Sequence, residues 1–323
     1  MKKILLLALV VMSFLACSKK EAPIESSDNK TDKKIKIVTT LFPTYDFSKE
    51  IGKDKVEVKL ILPPGIEPHS YDPTPKDIAE INSSDIFIYT GDNMEPWVAK
   101  VLNSLDNKNL KIIDVSQGIT LLEEKEDHDH DHEAHEEHED GHEHTGKDPH
   151  IWTDPILAKT IVENIYNGLI EKDSINKDFY TSNKVEYIKK LDDLDSKFKD
   201  LALHSKTKEI ISGGHFVFGY PFKRYGFEYH SVYDGFSPNA EPTPKQMKQL
   251  RDTIKETNAK YVYYEELIDP KLANLLAKEF SLKMLMLHGA HNLSKDELAK
   301  NLTYYEIMST NIENLKLGLG YNE

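Results

Sequence analysis

Residues 35–62 read IKIVTTLFPTYDFSKEIGKDKVEVKLIL. Ile35 to Thr40 is a β-branched run that predicts a strand, and Pro43 to Ile51 predicts a short helix with proline early. Val56 to Leu62 predicts a second strand, stopped by Pro63-Pro64-Gly65. The rhythm continues outward with a helix over Pro75 to Ile81, a strand over Ile86 to Tyr89, a helix over Pro96 to Leu105 and a strand over Leu110 to Val115. Strand, helix, strand repeated in this way implies parallel βαβ units, so the fold class is α/β with sheets covered on both faces.

Beyond an acidic stretch at 121–147, Pro155 to Ile170 predicts a helix with Ile161, Ile165 and Leu169 along one face. A longer helix is predicted over 177–203, with Ile188, Leu191, Leu194, Phe198 and Leu201 as its apolar stripe. At about 1.5 Å per residue it would reach roughly 40 Å, the length of a small domain, and it reads as a rigid connector. The second lobe repeats the first. Strands are expected at Glu209–Ser212, Glu228–Tyr233, Tyr261–Tyr264 and Lys283–Leu287, with helices at Val217–Tyr225, Thr243–Thr257 and Pro270–Phe280 and from Ser294 to near Leu317. The expected organisation is therefore a first lobe over 34–176, a linking helix over 177–203 and a second lobe over 204–323. Open sheets of this kind bind ligands beyond the carboxyl ends of their strands.

The whole chain has 323 residues and a formal charge of −14, which excludes a nucleic-acid binder working through a basic face. That charge is concentrated, because residues 123–147 carry twelve Asp/Glu against two Lys. The same stretch holds seven of the fourteen histidines: His128, His130, His132, His135, His138, His142 and His144. It has no apolar side chain larger than Ala134, so it reads as a solvated segment able to bind divalent ions weakly.

The N-terminus has its own signature. Met1-Lys2-Lys3 precedes an apolar run from Ile4 to Ala16, too short to span a bilayer but suited to a secretory signal over 1–16. Phe14-Leu15-Ala16-Cys17 resembles a bacterial lipobox, so Cys17 is the expected lipidation site and 17–33 a polar tether outside the cytoplasmic membrane. Cys17 is the only cysteine, which rules out an internal disulfide.

Histidines follow three of the predicted strands and the acidic stretch. His69 lies after the second strand, His150 before the Pro155 helix, and His215 after the first strand of the second lobe; His288 and His291 follow its last strand. Imidazoles converging on one cleft suit Zn²⁺ at about 2.0–2.1 Å each. Mn²⁺ prefers oxygen ligands, and Cu(I) prefers thiolates. Such a site should lose metal steeply below about pH 6, as the rings protonate, and each ring's second nitrogen should be held by a carboxylate or carbonyl.

The motifs EPHSYDPTP (67–75), DPHIWTDP (148–155), GGHFVFGYPFKRYGF (213–227) and EPTPKQMKQL (241–250) come in an order and spacing that resembles a known family. It is the cluster A-I zinc- and manganese-specific solute-binding lipoproteins of bacterial ABC importers. The resemblance covers the chain from about Lys34. It implies two lobes bridged by a long helix, a metal held between them, delivery of that metal to a membrane permease, and a monomeric receptor. His69, His150 and His215 fall on the family's first three ligands, and the stretch LHGAHNL (287–293) places the fourth on His291, with His288 as the alternative. Zinc-selective members carry a histidine-rich loop at this point, which supports the chelating reading of 128–144. A manganese receptor of the same fold and a surface adhesin are the competing readings. A zinc hydrolase is disfavoured, because the chain contains neither His-Glu-x-x-His nor Gly-x-Ser-x-Gly.

Overall fold

The computed structural model describes residues 33–123, 146–233 and 242–322. In the first lobe, β1 (Ile35–Thr39), β2 (Val56–Leu60), β3 (Ile86–Tyr89) and β4 (Lys111–Asp114) form a wholly parallel sheet in the order β2-β1-β3-β4. Parallel strands need crossovers, supplied by α1 (Phe42–Gly52), α2 (Pro75–Ser83) and α3 (Val98–Leu102). Alternate residues enter different cores: Ile37, Ile86 and Ile88 pack on one face, Val38, Phe87 and Tyr89 on the other. Such burial on both faces is why these strands read as near-continuous apolar runs.

The second lobe repeats this order. β5 (Glu209–Ile211) pairs with β6 (Glu228–His230), and β7 (Tyr261–Tyr264) with β8 (Lys283–Met286), all in parallel. A parallel bridge from Ser212 to Tyr263 joins the two pairs, giving β6-β5-β7-β8. Around them lie α6 (Gly219–Tyr225), α7 (Pro244–Glu256), α8 (Lys271–Phe280), α9 (Lys295–Ala299) and α10 (Tyr304–Leu319). In both lobes the strand order reverses beside the first strand, which puts the natural binding crevices at equivalent positions.

Two elements differ from the sequence-based expectation. The helix expected from Ser294 to Leu317 is broken in two. α9 ends at Ala299, Asn301 takes a positive φ of 52°, and a fresh capping box between Thr303 and Glu306 starts α10. The strand expected over Glu228–Tyr233 pairs only as far as His230. The cap expected at Thr243 is present: its side chain accepts from the Gln246 N–H, with Pro244 at the first helical position.

α4 (Pro155–Lys172) leads to α5 (Lys177–His204), whose 28 residues extend about 42 Å at about 1.5 Å each. Tyr180, Tyr187, Leu191, Leu194, Phe198 and Leu201 are its buried stripe, and they belong to one apolar core that runs from Ile37 in β1 to Leu315 in α10. A buried carboxyl marks this junction. Asp46 of α1 accepts from the Tyr187 hydroxyl of α5 and from the Tyr304 N–H at the start of α10, each at 3.3 Å. Burial, reinforced by Glu50, pushes Asp46 up to about 6. Among the described residues no helix is long and apolar enough to cross a membrane.

Candidate metal centre

Four loops bring four imidazoles to one place. After β2, Gly65 turns the chain with a positive φ of 82°, and a short 3-10 turn at Pro68–Ser70 presents His69. Glu67 caps that turn, its carboxylate accepting from the His69 N–H at 2.8 Å and the Ser70 N–H at 3.0 Å. His150 precedes α4 and is fully buried. One oxygen of Asp148 accepts from the His150 N–H at 2.9 Å and pairs with its Nδ1 at 2.8 Å.

His215 follows β5 through Gly213, where a Cβ would lie 2.6 Å from the Ala273 Cα. Only glycine lets α8 pass this close. The loop after β8 carries His291 beyond Ala290, whose φ is +57°. A Cβ on the preceding Gly289 would sit 2.5 Å from His291 Nδ1, so that glycine is required for the ring's position.

The centroids of His69, His150, His215 and His291 are separated by 5.0 to 6.3 Å over all six pairs. Four imidazoles on one ion at about 2.0–2.1 Å would place ring centroids about 5.2 Å apart, and their nitrogens about 3.3 Å apart. His69 Nε2 and His150 Nε2 are 3.1 Å apart. Ligand nitrogens of His69, His150 and His291 all lie within 4.8 Å of one another.

Behind the rings stands a shell of carboxylates. Asp148 takes His150 Nδ1, and Glu265 reaches His215 Nδ1 at 3.2 Å and His291 Nδ1 at 3.5 Å with its two oxygens. Glu266 also approaches His291 Nδ1 at 3.5 Å. A carboxylate on Nδ1 fixes the tautomer with its hydrogen there, leaving the Nε2 lone pair for a ligand. His291 Nε2 is buried with no hydrogen-bond partner among the described residues. Burial, then the neighbouring His215, His291 and His69, hold His150 well below the ordinary imidazole value, so its ring is neutral and ready to coordinate. Burial pushes Asp148 up to about 7.

His288 stands apart from this group. Its backbone is bracketed by Asn311, which accepts from its N–H and donates to its carbonyl, each at 2.8 Å. Its ring faces Glu266 at 3.3 Å and Glu297 at 3.5 Å. Burial lowers the proton affinity of His288, but the charges of Glu266 and Glu297 outweigh it and raise the ring above its ordinary value. Burial likewise opposes ionisation of Glu266, yet His288 and His291 hold it at about 2. Carboxylates that favour the charged form of a ring make it a poorer metal ligand, because a proton competes with the metal for its nitrogen.

Sequence reasoning left the partners of the rings open. Asp148 was within reach, two residues before His150 in the same motif. The Glu265-Glu266 pair ends the apolar strand β7 at the carboxyl edge where the histidines gather, a usable signal. The seven histidines of 128–144 and Cys17 lie outside the described residues. The ends flanking the histidine-rich stretch are described: Glu123 and Lys147 form an antiparallel bridge, and the Asp148 N–H donates to the Leu122 carbonyl at 2.8 Å.

Comparison with known proteins shows what the chain as a whole is similar to. A family model described as zinc-uptake complex component A, periplasmic (ZnuA), matches residues 37–318. The high-affinity zinc uptake system protein ZnuA of Bacillus subtilis is 38% identical over 296 residues, covering 90% of this chain and 89% of that protein. The zinc-binding lipoprotein AdcA of Streptococcus pneumoniae is 34% identical over 322 residues, 98% of this chain but only 61% of that longer protein. The crystal structure of the Zn(II)-bound ZnuA-like domain of S. pneumoniae AdcA superimposes with a TM-score of 0.73 at 31% identity, covering 89% of this chain and 99% of the domain.

Proposed function

The chain belongs to the family of the periplasmic zinc-uptake complex component A, and on that premise we propose that it is an extracytoplasmic receptor that captures Zn²⁺ and passes it to an ABC permease. The observation that carries this reading is the set of four imidazoles with mutual ring distances of 5.0 to 6.3 Å. In this reading His69, His150, His215 and His291 are the ligands of the cargo ion. Asp148, Glu265 and Glu266 orient the rings and balance the charge brought in. An all-nitrogen set favours Zn²⁺ over Mn²⁺, whose preferred donors are carboxylate and water oxygens. Four protein ligands also close the coordination shell, leaving no position for a reactive water, so the protein is a carrier and not a hydrolase. Cys17 as lipid anchor and a monomeric state complete the proposal. The test is a metal titration of the stripped, full-length protein. One tight Zn²⁺ per chain, undisplaced by equimolar Mn²⁺, is expected; Mn²⁺ binding as tightly as Zn²⁺ would overturn the assignment.

The histidine-rich segment is proposed to be an accessory collector separate from the cleft. Support comes from its neck, where the Glu123–Lys147 bridge and the Leu122–Asp148 hydrogen bond bring the two flanks together. Tyr220 secures the same point, its hydroxyl donating to the Asp148 carbonyl at 2.6 Å and accepting from the Leu122 N–H at 3.1 Å. Replacing residues 124–145 with a two-residue turn is therefore expected to lower the total zinc bound per chain while leaving the tight site's Kd within about twofold. Isothermal titration of both forms reads stoichiometry and affinity together, and loss of the tight site would make the segment part of the cleft.

A further inference from the structure

A buried side-chain amide connects the two lobes one residue beyond His291. Asn292 is fully buried, and its side-chain amide donates both hydrogens across the cleft, to the Pro63 carbonyl at 2.7 Å and the Ile66 carbonyl at 3.0 Å. Its Oδ1 accepts from the Leu293 N–H at 2.8 Å, so both polar atoms of the amide are engaged. The same short segment makes two backbone bonds to the first lobe: the Gly65 N–H donates to the Leu293 carbonyl at 2.9 Å, and the Phe42 N–H to the His291 carbonyl at 3.0 Å. Residues 63–66 are the root of the turn that carries His69, and the link from Ile66 to that ring passes only through Glu67, the cap of the 3-10 turn, and Pro68.

His69 is the one member of the four-ring group that is not fully buried, so packing alone constrains it least. Its position depends on what holds its loop. We infer that Asn292 is a positioning residue for metal capture: from the last loop of the second lobe, its amide fixes the turn of the first lobe that presents His69. The inference rests on the four-histidine reading of the site. A side-chain amide suits the task because it donates twice from one planar group, and breaking either bond inside the protein leaves a buried polar group unsatisfied. Asp at this position would keep the shape but set a carboxylate oxygen against two carbonyls.

The experiment is a double-mutant cycle on the full-length chain, with zinc affinity and chelator-driven zinc release as readouts. Asn292→Ala and Asn292→Asp are each expected to weaken zinc binding about ten- to a hundredfold, mainly through faster release, as is usual when a group that orients a ligand is lost. Asn292→Ser is the substitute should either variant fail to fold, judged by metal-free thermal unfolding. In the His69→Ala background the Asn292 change should cost no further affinity, because residues acting through one another are not additive. Additive losses would overturn the inference while leaving the site reading intact, and would mark Asn292 as a general stabiliser of the interface. Unchanged zinc affinity in His69→Ala alone would overturn the four-histidine reading, and the inference with it.

Discussion

His150→Ala is expected to weaken zinc binding about a thousandfold, the largest loss of any single substitution at the site. His150 is fully buried, and its ring lies 5.0 to 5.1 Å from those of His69, His215 and His291, so it touches every other member of the group. Structural zinc sites with four ligands bind with about 10–16 kcal/mol, or roughly 2.5–4 kcal/mol per ligand. At about 1.4 kcal/mol per decade, removing one ligand weakens binding roughly a hundred- to a thousandfold. His150→Ala should reach the upper end, because it also strips Asp148 of its ring partner and opens a void beside Trp152, whose ring is 5.4 Å away. His69→Ala should fall at the lower end, because a ligand that is partly open to solvent can be replaced by water. His288→Ala should leave zinc affinity nearly unchanged and instead lower thermal stability, since it breaks the pairing with Glu266 and Glu297. Competition against a chelator of known affinity ranks the three, and a His288→Ala loss equal to that of His291→Ala would displace the fourth ligand from His291.

How much of this was legible beforehand follows the range of the forces involved. The strands and helices near residues 35–62 were readable because their apolar periodicity and the Pro63-Pro64-Gly65 stop are local. The histidines were readable because a parallel sheet ends its strands at one edge, a rule of topology that needs no coordinates. The choice between His288 and His291 could not come from spacing alone. It turns on Gly289, which leaves room for the His291 ring, and on Glu266, Glu297 and Asn311, which draw His288 away, and those contacts join residues far apart in the chain. Asn292 carried no signal at all, because an asparagine in a loop reads as a turn residue until its two carbonyl partners, more than two hundred residues upstream, are known. The broken C-terminal helix was missed for another reason. Apolar periodicity runs on through the break, and only the Thr303–Glu306 capping box announces a new start.

Zinc affinity is expected to fall in two stages as pH is lowered from 8 to 5. The first stage belongs to Asp148, which burial pushes up to about 7. Bound Zn²⁺ favours the ionised carboxylate, which accepts from His150 Nδ1–H and offsets the cation's charge. The protonated acid opposes binding, so affinity is complete above about pH 7 and declines as pH falls through that value. The second stage belongs to the imidazoles, since a proton and the metal compete for the same nitrogen. His150 takes little part in it, because burial and the three neighbouring rings hold it well below that value. Fewer than four of the protons taken up for each zinc released should therefore come from imidazoles, even though four histidines are present, and Asp148 adds one of its own. Zinc titrations in buffers of different ionisation enthalpy count these protons directly, and near pH 7 about one proton should be released on binding. Asp148→Asn should remove the first stage, weaken binding about ten- to a hundredfold at pH 8 through the misheld His150 ring, and keep the second stage. An affinity that stays flat from pH 8 to pH 5 would be incompatible with imidazole ligands. A slope of four protons in Asp148→Asn, where only imidazoles take them up, would show His150 protonating with the rest, against the burial that sets it apart.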